Sequence, residues 1–257
     1  DLCNASQIHD SRSTTEHRFH TREVEVSEYR TRMIDYDSPE GTTPGYLAEP
    51  DDDAQHVAVI VIQEWWGLVP HIEDICRRFA EEGFVALAPD LYHGQSAAEP
   101  DEARKLAMAL ERDRAVGEIR SASNYLSGLD QVAPKEVGVV GWCMGGGLAL
   151  SSAADGAKIG AAVAFYGRPL SDEDTGKLRV PVLGLYAEHD HGIGVEDVRQ
   201  FELNLEHQGV PHLIHIYPGT SHAFFNDTRE SSYDETAATD AWQRTLAWFK
   251  LHLAYEA

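Results

Sequence analysis

The chain has little lysine, little cysteine and no long apolar run, and each shortage closes off a class of protein. Lysine occurs five times, at Lys105, Lys135, Lys158, Lys177 and Lys250, against 43 acidic residues, and the formal net charge is −22. Such a field repels polyanions, which argues against nucleic acid or an anionic membrane as a partner. An acidic surface poor in lysine also matches adaptation to high salt, where like-charge repulsion is screened. Three cysteines, Cys3, Cys76 and Cys143, cannot make a fully paired disulfide framework. No stretch of 18 apolar residues exists, so no membrane-spanning helix is expected. Residues 1–16 are polar and lack the basic-then-apolar order of a secretion signal, and the cytoplasm is the expected compartment. Internal repeats and low-complexity tracts are missing too.

What remains is an ordinary globular composition, 42% apolar and 25% charged over 257 residues, enough for one sizeable core. Residues 1–27 are weakly patterned and read as an N-terminal extension; residues 28–257 read as a single domain. Segments 28–36 and 42–48 flank the turn residues Ser38-Pro39-Glu40-Gly41 and predict an antiparallel hairpin. Beyond it, strand and helix patterns alternate. Residues 57–62 are apolar without a break, as a parallel strand covered on both faces must be. A helix is predicted over 71–82 and a strand over 84–88, then two helices within 100–128. Strands follow at 137–140, 159–166, 182–186 and 213–217. Val195, Val198, Phe201 and Leu205 share one helical face, and a closing amphipathic helix covers 240–253. This alternation predicts an α/β protein with a mostly parallel, doubly wound sheet flanked by helices. Functional residues in such sheets gather beyond the carboxyl ends of the strands.

The sharpest local signal is Gly141-Trp142-Cys143-Met144-Gly145, directly behind an apolar strand and ahead of a small-residue helix. Glycines two residues either side of an apex residue permit an abrupt strand-to-helix reversal, with the apex side chain pushed out above the sheet. The helix N-terminus there favours a thiolate over a thiol. A buried structural cysteine in a Gly-rich turn would look the same over these five residues. The rest of the chain separates the two. A nucleophile on an elbow needs a base, and the base an orienting acid, in the chain order nucleophile, acid, base. Asp190 lies just past strand 182–186 and His222 just past strand 213–217, in that order. No metal site is expected: His189 and His191 lack further ligands, and His212 and His215 fall on opposite faces of one strand.

On these residues the chain resembles the dienelactone hydrolases (carboxymethylenebutenolidases), a branch of the α/β-hydrolase fold. The resemblance rests on Gln63-Glu64-Trp65-Trp66-Gly67-Leu68, Ala88-Pro89-Asp90-Leu91-Tyr92, the elbow, Asp190, and Ser221-His222-Ala223-Phe224. It implies a Cys143–Asp190–His222 triad, with Glu64 interacting with the resting thiol and assisting its activation. It further implies an oxyanion hole from the backbone N–H groups of Trp65 and Met144. The implied activity is hydrolysis of a small lactone or ester without a cofactor, by a monomer or weak homodimer. A broad carboxylesterase and a non-catalytic ligand-binding protein on the same scaffold are the alternatives. Trp66, Tyr92, Tyr166 and Phe224 are aromatics at strand ends and candidates for the substrate pocket. The two positions where the family's arginines clamp a substrate carboxylate carry Gly94 and Asn226, which weakens that contact. Arg168 and Arg229 are candidate substitutes. Asn226-Asp227-Thr228 also matches a glycosylation sequon, read as a chance match.

Overall fold

The computed structural model describes residues 28–253, so the extension expected over 1–27 lies outside the described residues. The chain opens with β1 (Tyr29–Ser38) and β2 (Gly41–Pro50), joined by the expected turn, and continues through β3 (Ala58–Ile62), α1 (Pro70–Glu81) and β4 (Val85–Pro89). Two helices follow, α2 (Pro100–Ala109) and α3 (Arg112–Gly128), then β5 (Val137–Trp142), α4 (Met144–Ala154) and β6 (Ile159–Phe165). A one-turn helix α5 (Asp172–Thr175), β7 (Val182–His189), α6 (Val195–His207), β8 (His212–Ser221) and α7 (Glu235–His252) complete it. The eight strands form one sheet in the order β1-β2-β4-β3-β5-β6-β7-β8. From β4 through β8 all neighbours are parallel, and β2 joins β4 antiparallel. The hairpin and the doubly wound parallel sheet are both as expected.

Period-2 alternation explains why the strands read as unbroken apolar runs. On β3, Val59 and Val61 face a core layer containing Ile72, Ile75 and Phe79 of α1 and Trp242 and Phe249 of α7. Ala58, Ile60 and Ile62 face the opposite layer, with Ala115 and Ile119 of α3, Leu148 of α4 and Phe201 of α6. Both faces are covered, so no position of a central strand tolerates a polar side chain.

The two largest differences from the sequence reading lie in α7 and β8. Helix α7 begins five residues earlier than predicted, because the Asp234 side chain caps it by accepting from Ala237 N–H at 2.9 Å. Strand β8 runs on to Ser221, through a register shift against β7 that pairs His189 with Ser221. Periodicity cannot reveal that shift, and the site depends on it.

Phe249 is fully buried, with ring centroids 6.3 Å from Phe79 and 6.5 Å from Phe84, and ties α7 to the sheet. Phe249→Ala should therefore lower the unfolding free energy by about 3–5 kcal/mol in chemical denaturation. A loss under about 1 kcal/mol would show that this layer collapses around the void.

Candidate active site

The elbow is built by backbone contact. Cys143, between β5 and α4, sits at φ 56° and ψ −118°, a strained conformation for a residue with a side chain. A Cβ on Gly141 would lie 2.1 Å from the Gly145 carbonyl oxygen, and one on Gly145 would lie 2.4 Å from that of Gln63. Only glycine lets the first turn of α4 pack onto the ends of β3 and β5. Cys143 N–H donates to the Phe165 carbonyl at 3.0 Å, which anchors the apex to β6. No side chain caps α4, which starts at Met144.

The β7–β8 register places Asp190 beside His222. Asp190 follows His189 and His222 follows Ser221, so the His189–Ser221 pair delivers both to one end of the sheet. His222 Nδ1 lies 2.6 Å from Asp190 Oδ2, while Asp190 Oδ1 accepts from the backbone N–H of Gly192 (2.8 Å) and Ile193 (3.1 Å). Burial works against the Asp190 charge, but the bond to His222 and these two amides hold its carboxyl below the usual range. Burial also disfavours the His222 cation. The hydrogen bonds to Asp190 and to Cys143 outweigh it and push the imidazole up to about 10. The Tyr166 ring, 4.9 Å from the imidazole, braces it.

Glu64 emerges from β3 into the same space and is almost fully buried. Its Oε2 accepts from Asn226 Nδ2 at 2.7 Å and its Oε1 from the Tyr166 hydroxyl at 3.4 Å. Burial pushes its carboxyl up; the charge on His71, the Asn226 bond, His222 and Arg229 pull it back in part. Asn226 Oδ1 in turn accepts from the N–H and hydroxyl of Thr228. The Asn226-Asp227-Thr228 tripeptide thus braces Glu64, with its amide buried.

Cavities open on either side of Cys143. The larger, about 720 Å³, has Trp65, Met144, Tyr166 and His222 at its catalytic end and Leu110, Leu148, Leu170 and Ile193 along its walls. Arg168 lies on its rim. The smaller, about 380 Å³, is bounded by Glu64, Trp66, Asn226 and Arg229, with Cys143 and His222 shared between the two. The Arg229 guanidinium stacks on the Trp66 ring at 3.7 Å. Trp65, Trp66, Tyr166 and Asn226 therefore border open space. Tyr92 and Phe224 stand behind the lining: the Tyr92 hydroxyl bonds the Trp65 carbonyl (3.2 Å) and Met144 Sδ (3.6 Å), and Phe224 packs fully buried under Tyr166. Gly94 sits in a turn where its N–H donates to Asp90, away from both cavities. Sequence reasoning missed the contact between His71 Nδ1 and Asp227 Oδ1 at 3.2 Å. Cys76, the other described cysteine, is buried in the core, where burial pushes its thiol well up.

A parallel sheet wound on both faces, a strained nucleophile elbow and an Asp–His pair at the strand ends define the α/β-hydrolase class. The sequence profile of the dienelactone hydrolase family matches residues 43–253, and the chain belongs to that family. Protein usf of Aquifex pyrophilus is 36% identical over 230 residues, covering 86% of this chain and 99% of that one. A protein of Aquifex aeolicus, named "Putative carboxymethylenebutenolidase", is 35% identical over the same span. The crystal structure of a "Putative Dienelactone Hydrolase" from Klebsiella pneumoniae superposes with a TM-score of 0.80 at 30% identity, covering 86% of this chain and 98% of that one. A dienelactone hydrolase-like promiscuous phosphotriesterase from metagenomic libraries has a TM-score of 0.81 at 22% identity and shares the fold.

The Asp190–His222 pair carries a pH signature. The folded state holds the His222 value above its unfolded 6.5, so this stabilisation is complete below about pH 6.5 and is lost as pH rises through about 10. Tm followed by scanning fluorimetry should fall across that window. The fall should be shallower in Asp190→Asn, where the partner charge is gone.

Proposed function

We propose that the protein hydrolyses small lactones or esters, with Cys143 as nucleophile and a thioester acyl-enzyme as intermediate. One juxtaposition supports this above the rest: Cys143 lines the same two cavities as an imidazole that Asp190 holds from behind at 2.6 Å. As substrate binds, the Cys143 thiol passes its proton to His222. The Cys143 sulfur attacks the carbonyl carbon, and the tetrahedral oxyanion is held by the N–H groups of Trp65 and Met144. Collapse breaks the carbon–oxygen bond, and the leaving alkoxide or enolate takes the proton from His222. The neutral imidazole then removes a proton from water, whose oxygen attacks the thioester and releases Cys143. Glu64, at the opposite side of the thiol, assists activation when substrate arrives. These steps call for no cofactor. A thiolate is a better leaving group than an amine, so the chemistry favours activated esters and lactones over amides.

The cleft favours one reading of substrate. Neither Gly94 nor Asn226 offers charge, and the Asn226 amide is already bound to Glu64. Leu110, Leu148, Leu170 and Ile193 give the larger cavity an apolar wall that suits a neutral ester, although Arg112 and Arg168 line it as well. A broad carboxylesterase is therefore the second reading, and the ratio of p-nitrophenyl ester to dienelactone turnover decides between the two.

Cys143→Ala should lower kcat/KM for whichever substrate is turned over by a factor on the order of 10⁴ or more. Cys76→Ala should leave it within about threefold, since the Cys76 thiol reaches neither cavity. Turnover that survives in Cys143→Ala would remove the cysteine from the mechanism.

A further inference from the structure

Residues 63–67 after β3 and residues 90–97 after β4 form two loops that are bonded to each other along their length. Gln63 Oε1 accepts from Leu91 N–H at 3.2 Å, and the Trp66 carbonyl from Ala97 N–H at 3.0 Å. Gly67 pairs with Ser96, so closely that a Cβ on Gly67 would lie 2.8 Å from the Gln95 carbonyl oxygen. Between these contacts the Tyr92 hydroxyl donates to the Trp65 carbonyl at 3.2 Å. The same hydroxyl lies 3.6 Å from Sδ of Met144, the first residue of α4. One phenol therefore touches both residues whose N–H groups are read as the oxyanion hole.

Tyr92 is itself fixed at its backbone. Its N–H donates to Asp90 Oδ1 at 3.2 Å, while Asp90 Oδ2 accepts from Gly94 N–H and closes the turn. The backbone and side-chain amides of Gln95 both donate to the Tyr92 carbonyl, at 3.3 and 3.4 Å. The side chain is buried, and burial above all pushes the phenol up to about 12, so it remains a donor at neutral pH. Tyr92 borders neither cavity beside Cys143, whereas Trp65 borders both and Met144 the larger. It acts on the residues that face substrate and not on substrate. Donors to an oxyanion work only when held in place before the charge develops, and a displacement of about 1 Å can cost on the order of a hundredfold in rate.

We propose that Tyr92 is a positioning residue for the oxyanion hole, its hydroxyl seated between the Trp65 carbonyl and the Met144 sulfur so that the two N–H donors keep their spacing across the elbow. The inference rests on the reading of Trp65 and Met144 as that hole and of Cys143 as the nucleophile. It gives the turn after β4 a task in the reaction, although that turn reaches neither cavity through Tyr92 or Gly94.

The test reads the hole through the acyl-enzyme. A p-nitrophenyl ester carrying carbon-13 at its carbonyl is mixed rapidly with the protein, and isotope-edited infrared spectra isolate the bound acyl group. Donors at the carbonyl oxygen lower the frequency of that band below the value for the same thioester in denatured protein. In Tyr92→Phe, which keeps the ring, the band should move up toward the denatured value. Its kcat should fall on the order of tenfold, with KM held within about threefold. Met144→Leu keeps the bulk and loses the sulfur; it should move the band the same way by less, and it decides if Tyr92→Phe does not fold. A band that stays in place in the folded variant overturns the inference whatever kcat does, and leaves Tyr92 a packing residue. Wild-type turnover without any thioester band is a different failure: it sinks the cysteine reading and takes this inference with it.

Discussion

The site depends on how closely the first turn of α4 approaches the carboxyl ends of β3 and β5. At the elbow, backbone lies against backbone with no room for a Cβ at Gly141 or Gly145. That contact forces Cys143 to positive φ, and the strain is held by the hydrogen bond to Phe165 and the packing of β5 and β6 on both faces. A looser approach would let the apex relax into an ordinary turn and carry the thiol out of reach of His222. The buried sheet is therefore more than a scaffold: its rigidity keeps one residue in a conformation it would not choose.

Acidity is handled by position. Most of the carboxylates behind the net charge of −22 sit in solvent, where repulsion is screened. The few that are buried carry specific tasks. Glu49 secures β2 to β1 through two arginines, and Glu118 fastens the loop around His93 to α3. Asp190 holds His222 at 2.6 Å, and Glu64 lines a cavity with Cys143. Each is satisfied by a partner chosen to fit its role, a guanidinium where permanence is needed and an imidazole or amide where a proton is to move.

Much of the fold and part of the site were legible in the residues. Unbroken apolar runs such as 57–62 predict strands covered on both faces, and β3 is such a strand. The elbow pentapeptide predicts a sharp strand-to-helix turn because glycine spacing encodes a steric requirement, and that turn is present. Asp190 and His222 were legible as residues just past strands, and the structure brings them to 2.6 Å. The start of α7 was not, since a capping aspartate outweighs the apolar pattern over the first turn. Phe224 and Tyr92 were chosen as aromatics at strand ends, and that pattern cannot tell a wall from what supports it. The contact between His71 and Asp227 carried no signal, because they lie 156 positions apart and meet only once the sheet is formed.

By itself the sequence determined what local sterics and periodicity can enforce: the α/β alternation, the elbow, and the placing of Asp190 and His222 just past their strands. These follow from interactions between near neighbours along the chain. Tertiary structure alone decided the register shift that sets Asp190 against His222, the amide that occupies Glu64, and the division of the space around Cys143 into two cavities. Those depend on side chains far apart in sequence and on which of several possible pairings buries charge with its hydrogen bonds satisfied.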